Sequence, residues 1–178
     1  MSGIPSTQFD DIAYGPDCNG EQLPLDPNGI DPEDAHAVPG TSGVLAVAEE
    51  YSPSILLSRP DGTVFARYVP RSIAPLLAGA DTNVYGILPD VFKNRRPNRG
   101  FESLVVAPSG AYLIAILQSP MGDTSNPQLA ANRIGRAVVM AIQITNQPRE
   151  PVRLTLARTF AIEFSPASSY SAASNDDI

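Results

Sequence analysis

The strongest constraint on this chain is that one phrase occurs twice. Asp31 to Glu50 and Asn98 to Gln118 each place a glutamate just ahead of a short apolar strand, then a turn containing Pro and Gly, then a second apolar run. Removing two residues from the first turn superposes Glu33 on Glu102, Pro39 on Pro108, Val44 on Ala111, and Ser52-Pro53 on Ser119-Pro120. A repeat of this size points to an architecture of stacked copies, each burying a face that it cannot bury alone.

Composition agrees. Of 178 residues, 43% are hydrophobic and 17% charged, the balance of a globular chain, and 18 prolines with 13 glycines favour many turns over long helices. Residues 1–29 read as a loop-rich segment with one strand over Ser6 to Tyr14. Residues 30–69 read as four antiparallel strands, 33–38, 44–49, 54–58 and 63–68, the last two joined by Asp61-Gly62, a hairpin signal. Residues 70–98 form an insertion with short helical turns at 73–79 and 86–94 and a basic end. Residues 99–165 repeat the unit with strands at 101–107, 111–118, 137–145 and 152–164, and 166–178 form a loose tail. Four strands in such a span have the size of a propeller blade. The expected fold is therefore all-β, a partial β-propeller of about two to three four-stranded blades. An open arc leaves strand edges and blade faces uncovered, so the chain is expected to belong to a longer protein or to self-associate.

The net charge of −7 is unevenly spread: residues 1–58 carry ten acids and no Lys or Arg, and all twelve bases begin at Arg59. Such an acidic half argues against nucleic acid as partner and suits divalent cations better. The longest apolar run, Ala111 to Leu117, is far short of the roughly 20 residues of a membrane span, and no leader-like segment opens the chain. With one cysteine, Cys18, and one histidine, His36, there is no Cys/His metal cluster or Cys-His dyad. His36 falls mid-strand and reads as a packed side chain. Neither a Gly-x-Ser-x-Gly elbow nor a glycine-rich phosphate loop occurs.

In a propeller the first strand of each blade lines the channel. Glu33 and Glu102 would then face one funnel, with Arg99 and Arg96 beside them, and Glu49, Glu50 and Tyr51 at the end of the second strand. Converging carboxylates bind Ca²⁺ or raise one another's pKa into the acid/base range, and arginines beside them receive an anion. The alternative is a buried Arg-Glu brace that holds the repeats together and does no chemistry.

Four segments resemble the phytase-like, "esterase-like activity of phytase" family: the region of Glu33; Glu49-Glu50-Tyr51-Ser52-Pro53; Arg96-Pro97-Asn98-Arg99-Gly100-Phe101-Glu102-Ser103-Leu104; and Leu117-Gln118-Ser119-Pro120. Glu49, Ser52 and Ser103 depart from the family's usual Asp, Gly and Gly. The resemblance implies an exported (secreted or periplasmic) β-propeller hydrolase acting on phosphate esters or other esters, with Ca²⁺ as cofactor and a small anionic or ester substrate as partner. Family members usually continue for several more blades. On this reading Glu33, Glu50 and Glu102 hold the cation or act as acid and base, Arg96 and Arg99 receive the substrate anion, and Tyr51 and Gln118, aligned in the repeat, line the funnel. A non-catalytic propeller that binds through its loops is the competing reading.

Overall fold

The computed structural model describes residues 23–122 and 133–165. The strand expected over 6–14, the Cys18 turn, the part of the 119–136 loop from 123 to 132, and the tail from 166 lie outside the described residues. Within them, nine strands make two sheets. The first runs β1 (Pro32–Ala37), β2 (Leu45–Glu49), β3 (Ser54–Ser58), β4 (Val64–Pro70) and β5 (Asn83–Leu88); the second runs β6 (Phe101–Val106), β7 (Tyr112–Leu117), β8 (Ile134–Ile144) and β9 (Val152–Glu163). The protein is all-β, and neither sheet closes on itself.

Turn chemistry sets the strand ends. Gly62 takes a φ of +83° between β3 and β4, where the Thr63 N–H donates to the Asp61 carboxylate and Arg59 N–H to the Thr63 carbonyl. The region 70–98 departs from expectation. Short 3-10 turns do form at Ala74–Leu77 and Asp90–Asn94, but Gly86 to Leu88, read from sequence as helical, belong to β5, which pairs in parallel with β4. The pairing is non-local, and apolar residues spaced through Gly86–Phe92 mimic a helical turn until β4 supplies an edge.

The repeat survives with one correction. Pro32 pairs with Glu49 and Asp34 with Ala48, leaving Glu33 unpaired in a β-bulge; Phe101 pairs with Leu117 and Ser103 with Ile116, leaving Glu102 in the matching bulge. Beyond each bulge the Glu50 N–H donates to the Asp31 carbonyl and the Gln118 N–H to the Gly100 carbonyl. Across the turn the Val38 N–H donates to the Val44 carbonyl and the Ala107 N–H to the Tyr112 carbonyl. The turns therefore differ by one residue, not two. Val44 corresponds to Tyr112 rather than Ala111, and Glu50, rather than Tyr51, corresponds to Gln118. The two-residue offset matched buried positions to buried positions, and a one-residue slip in a strand exchanges the faces.

That exchange carries structural information. Register places Ala46, Ala48, Ile55, Leu57 and Tyr68 on one face of the first sheet, and Leu104, Leu113, Ala115, Val138 and Met140 on one face of the second. These faces pack into a single core, and the Tyr68 hydroxyl accepts from the Leu154 N–H across it. Yet the counterparts of Ala46 and Ala48 are Ile114 and Ile116, on the far face of the second sheet. The sheets thus stack front to back, with corresponding faces pointing the same way. Val105, Tyr112 and Phe160 on that far face stay exposed.

The first sheet's other face holds a charge pair. Arg67, midway along apolar β4, and Glu49, at the end of β2, are both essentially inaccessible and lie 3.1 Å apart. Arg67 also donates to the carbonyls of Pro27 and Gly29, so the segment before β1 covers it.

Candidate functional site

The two bulges meet. β1 and β6 lie side by side as the facing edges of the two sheets, and the Leu104 N–H donates to the Asp34 carboxylate between them. A bulge turns the strand and re-aims its side chain. Glu33 and Glu102, each on its bulge, are brought close enough for the charge of Glu102 to act on Glu33.

Around them the structure gathers Asp31, Glu50 and Arg99. One carboxylate oxygen from each of Asp31, Glu33 and Glu50 lies within 4.8 Å of the other two. Burial, then the charges of Glu33, Glu102 and Asp31, push Glu50 up to about 8, and Arg99 opposes them. Glu50 is 5% exposed. Glu33 is also raised, by burial and by Glu102 and Asp31, and its hydrogen bond to Asp31 works in the same direction. Asp31 is raised by burial and by Glu49, against the bond that it accepts from Glu33.

Local backbone explains the geometry. After the turn of Asp90–Asn94, whose Phe92 ring packs on Phe101 at 5.3 Å, Asn98 adopts a φ of +50°, which asparagine tolerates, and the chain swings Arg99 towards the cluster. Gly100 follows. A Cβ there would stand 2.0 Å from the Glu50 carbonyl oxygen, so only glycine lets the start of β6 run against residue 50. The same carbonyl accepts from the Arg95 side chain at 3.4 Å.

Of the residues expected from sequence, Glu33, Glu50, Glu102 and Arg99 come together. Tyr51 is half-buried in the turn after β2, and its N–H donates to Glu49. Gln118 follows β7 as the counterpart of Glu50, and Arg96 is half-buried in the turn leading to Arg99. His36 is not packed away as expected: its side chain is 43% exposed, with Nε2 3.6 Å from Asp34. β1 is an edge strand, so a mid-strand position there keeps contact with water. Sequence reasoning missed Asp31, Gly100 and Arg67. The repeat could have exposed the first two as a corresponding pair, because Asp31 and Gly100 each precede the bulge glutamate by two residues.

A family model described as "Phytase-like: Esterase-like activity of phytase" matches residues 3–173. The chain belongs to the phytase-like family. At family level the activity is esterase-like hydrolysis. The phytase-like segment from Arg95 to Leu104 is the one that bends Arg99 inward, makes room at Gly100 and bulges at Glu102. No curated protein and no solved structure gives a significant match.

The donor set fits a hard cation. Ca²⁺ takes oxygen ligands at about 2.3–2.6 Å, so ligands on opposite sides are about 5 Å apart, and three carboxylate oxygens within 4.8 Å of one another can surround one ion. No helix among the described residues is long and apolar enough to cross a membrane.

Proposed function

We propose that Asp31, Glu33, Glu50, Glu102 and Arg99 form a hydrolytic site for a phosphate ester or another small anionic ester, assisted by a divalent cation. The convergence of three carboxylate oxygens within 4.8 Å carries the reading. Asp31, Glu33 and Glu50, with Glu102 alongside, would hold the cation, Ca²⁺ by donor type, and the ion when bound would supply Lewis acidity and an activated water. The remaining roles belong to the chain. Arg99 offers its guanidinium to the ester's anionic oxygens, with Arg96 behind it on the same turn. Glu50, whose proton is held by burial and by the neighbouring acids in the cation-free protein, gives it up when the cation binds and serves the loaded site as a carboxylate ligand. Tyr51 and Gln118, at the ends of β2 and β7, would border the approach.

The front-to-back stacking supports reading the sheets as consecutive propeller blades, since a cyclic array sets unlike faces together where a two-fold sandwich sets like faces together. The apolar far face of the second sheet is then where a further blade would stack. By family relation the protein is expected to be exported.

The test is hydrolysis of a small phosphate monoester and a small carboxylic ester, with and without Ca²⁺. Wild type should turn over one of them, and Glu50→Gln and Arg99→Ala should lose at least about 10²-fold while remaining folded by circular dichroism. A folded wild type with no turnover in any condition would leave the binding-module reading. The buried Glu49–Arg67 pair favours that second reading to the extent that it is an Arg-Glu brace outside any reacting centre.

A further inference from the structure

Glu49 is not among the three converging carboxylates, yet it accepts from the backbone on both sides of them. Its buried carboxylate accepts from the Tyr51 N–H at 2.9 Å, the Ser52 N–H at 3.2 Å, the Asp31 N–H at 3.3 Å, the Ser54 hydroxyl at 2.6 Å and Arg67 at 3.1 Å. Arg67 closes the network by donating to Ser54 at 3.0 Å and to the carbonyls of Pro27 and Gly29. Asp31 is held from both sides, its N–H by Glu49 and its carbonyl by the N–H of Glu50.

The second sheet serves as an internal control. It forms the same bulge and the same strand-end hydrogen bond with Leu117 in the place of Glu49. Counting on by the same offset, Pro120 stands where Ser52 stands, so that copy has no N–H at the position where the first needs an acceptor. The sheet therefore does not need a buried ion pair to end β2 or to make the bulge. Buried pairs are also poor stabilisers, because desolvation offsets their attraction, so stability gives no reason for this one. What the first copy has and the second lacks is Asp31 and Glu50.

We propose that Glu49 and Arg67 are positioning residues that set the separation of the Asp31 and Glu50 carboxylates for a divalent cation. This rests on the cation-site reading above. It goes beyond that reading by placing the determinant of the site's spacing on the opposite face of the sheet, in a pair that touches neither cation nor substrate. Partners behind a metal ligand commonly govern affinity by 10–100-fold, so about that loss is expected when the pair is removed.

The test uses the Glu49→Gln/Arg67→Met double variant, which removes both charges together and keeps one amide oxygen in place of the two carboxylate oxygens that the three N–H donors share. Two readouts are followed under native conditions: Ca²⁺ affinity by calorimetry, and amide hydrogen exchange at Asp31, Tyr51 and Ser52. The expected result is a Ca²⁺ affinity lower by about 10–100-fold and at least tenfold faster exchange at those amides, with Gln118 unchanged. Glu50→Gln should abolish Ca²⁺ binding and leave the exchange pattern as it was. Should the double variant not fold, Ser54→Ala, which leaves the ion pair in contact, carries both readouts in the same direction. Affinity and exchange within twofold of wild type in a folded variant would overturn the proposal. A wild type that binds no Ca²⁺ would defeat the cation reading, and exchange would still decide whether the pair positions Asp31.

Discussion

The first and second sheets share a backbone plan and divide the chemistry. At corresponding places the first has Asp31, Glu49, Glu50 and Ser52, and the second has Gly100, Leu117, Gln118 and Pro120; of the acids only the bulge glutamates, Glu33 and Glu102, are common to both. The first sheet supplies most of the charge and the buried network behind it. The second supplies one carboxylate, the Arg99 turn, and at Gly100 the room for residue 50 to approach. The difference teaches that the bulge and its strand-end bond belong to the fold, while the acids and their support are additions that one copy does without.

Transplanting the charge should break the comparison most severely. Leu117→Glu places a carboxylate in the apolar core without the set of donors that surrounds Glu49, and so poorly satisfied a buried charge should cost about 3–5 kcal/mol, read by denaturant unfolding. A cost below about 1 kcal/mol would mean that the second sheet tolerates what the first must brace. Next comes Gly100→Ala, whose Cβ would collide with the Glu50 carbonyl. It should destabilise by about 3 kcal/mol, the upper end of ordinary overpacking, and lower Ca²⁺ affinity at the same time.

The pH dependence follows from Glu50. Its pKa is about 8 in the folded protein and near 4.5 when unfolded, so the folded state binds the extra proton between these values. The sign is fixed: this contribution is fully present below 4.5 and lost as the pH rises through about 8. Without cation, the melting temperature should fall from pH 5 to pH 9, and Glu50→Gln should flatten most of that fall and be the more stable form at pH 9. A wild type that gains stability over this range would contradict the cluster. A finer version resolves the two bulges. Glu33 acts on Glu50 more strongly than Glu102 does, so Glu33→Gln should lower the Glu50 titration further than Glu102→Gln, as followed by carboxyl NMR. The smallest effect is expected on the uncovered face, where Val105→Thr should change stability by no more than about 0.5 kcal/mol.

Much of this was legible in the residues. Glu33 and Glu102, Pro39 and Pro108, and the alternation of the following strands reveal a repeated β unit, and the repeat brings four of the proposed site residues together before any coordinates are seen. What stayed hidden was non-local. β5 exists because β4 offers it an edge. Arg67 looks like a solvent-facing charge on an apolar strand until residues 27–29 fold over it and Glu49 meets it. Asp31, beside Pro32, reads as turn chemistry, and only the bulge at Glu33 turns it towards Glu50. The register expected from sequence is one residue off because the Ser52-Pro53 and Ser119-Pro120 dipeptides align only at a two-residue offset, whereas the bulges and strand-end bonds set an offset of one, and front-to-back stacking buries opposite faces in the two copies.

The proposed site turns on one cation held by acids that two bulges bring to a common point. Calorimetric titration of Ca²⁺ at pH 7, in buffers of different ionisation enthalpy, tests it most directly. The prediction is a single site per chain whose occupation releases a proton, both features vanishing in Glu50→Gln. Absence of binding in the folded wild type, or binding unchanged in Glu50→Gln, would contradict it.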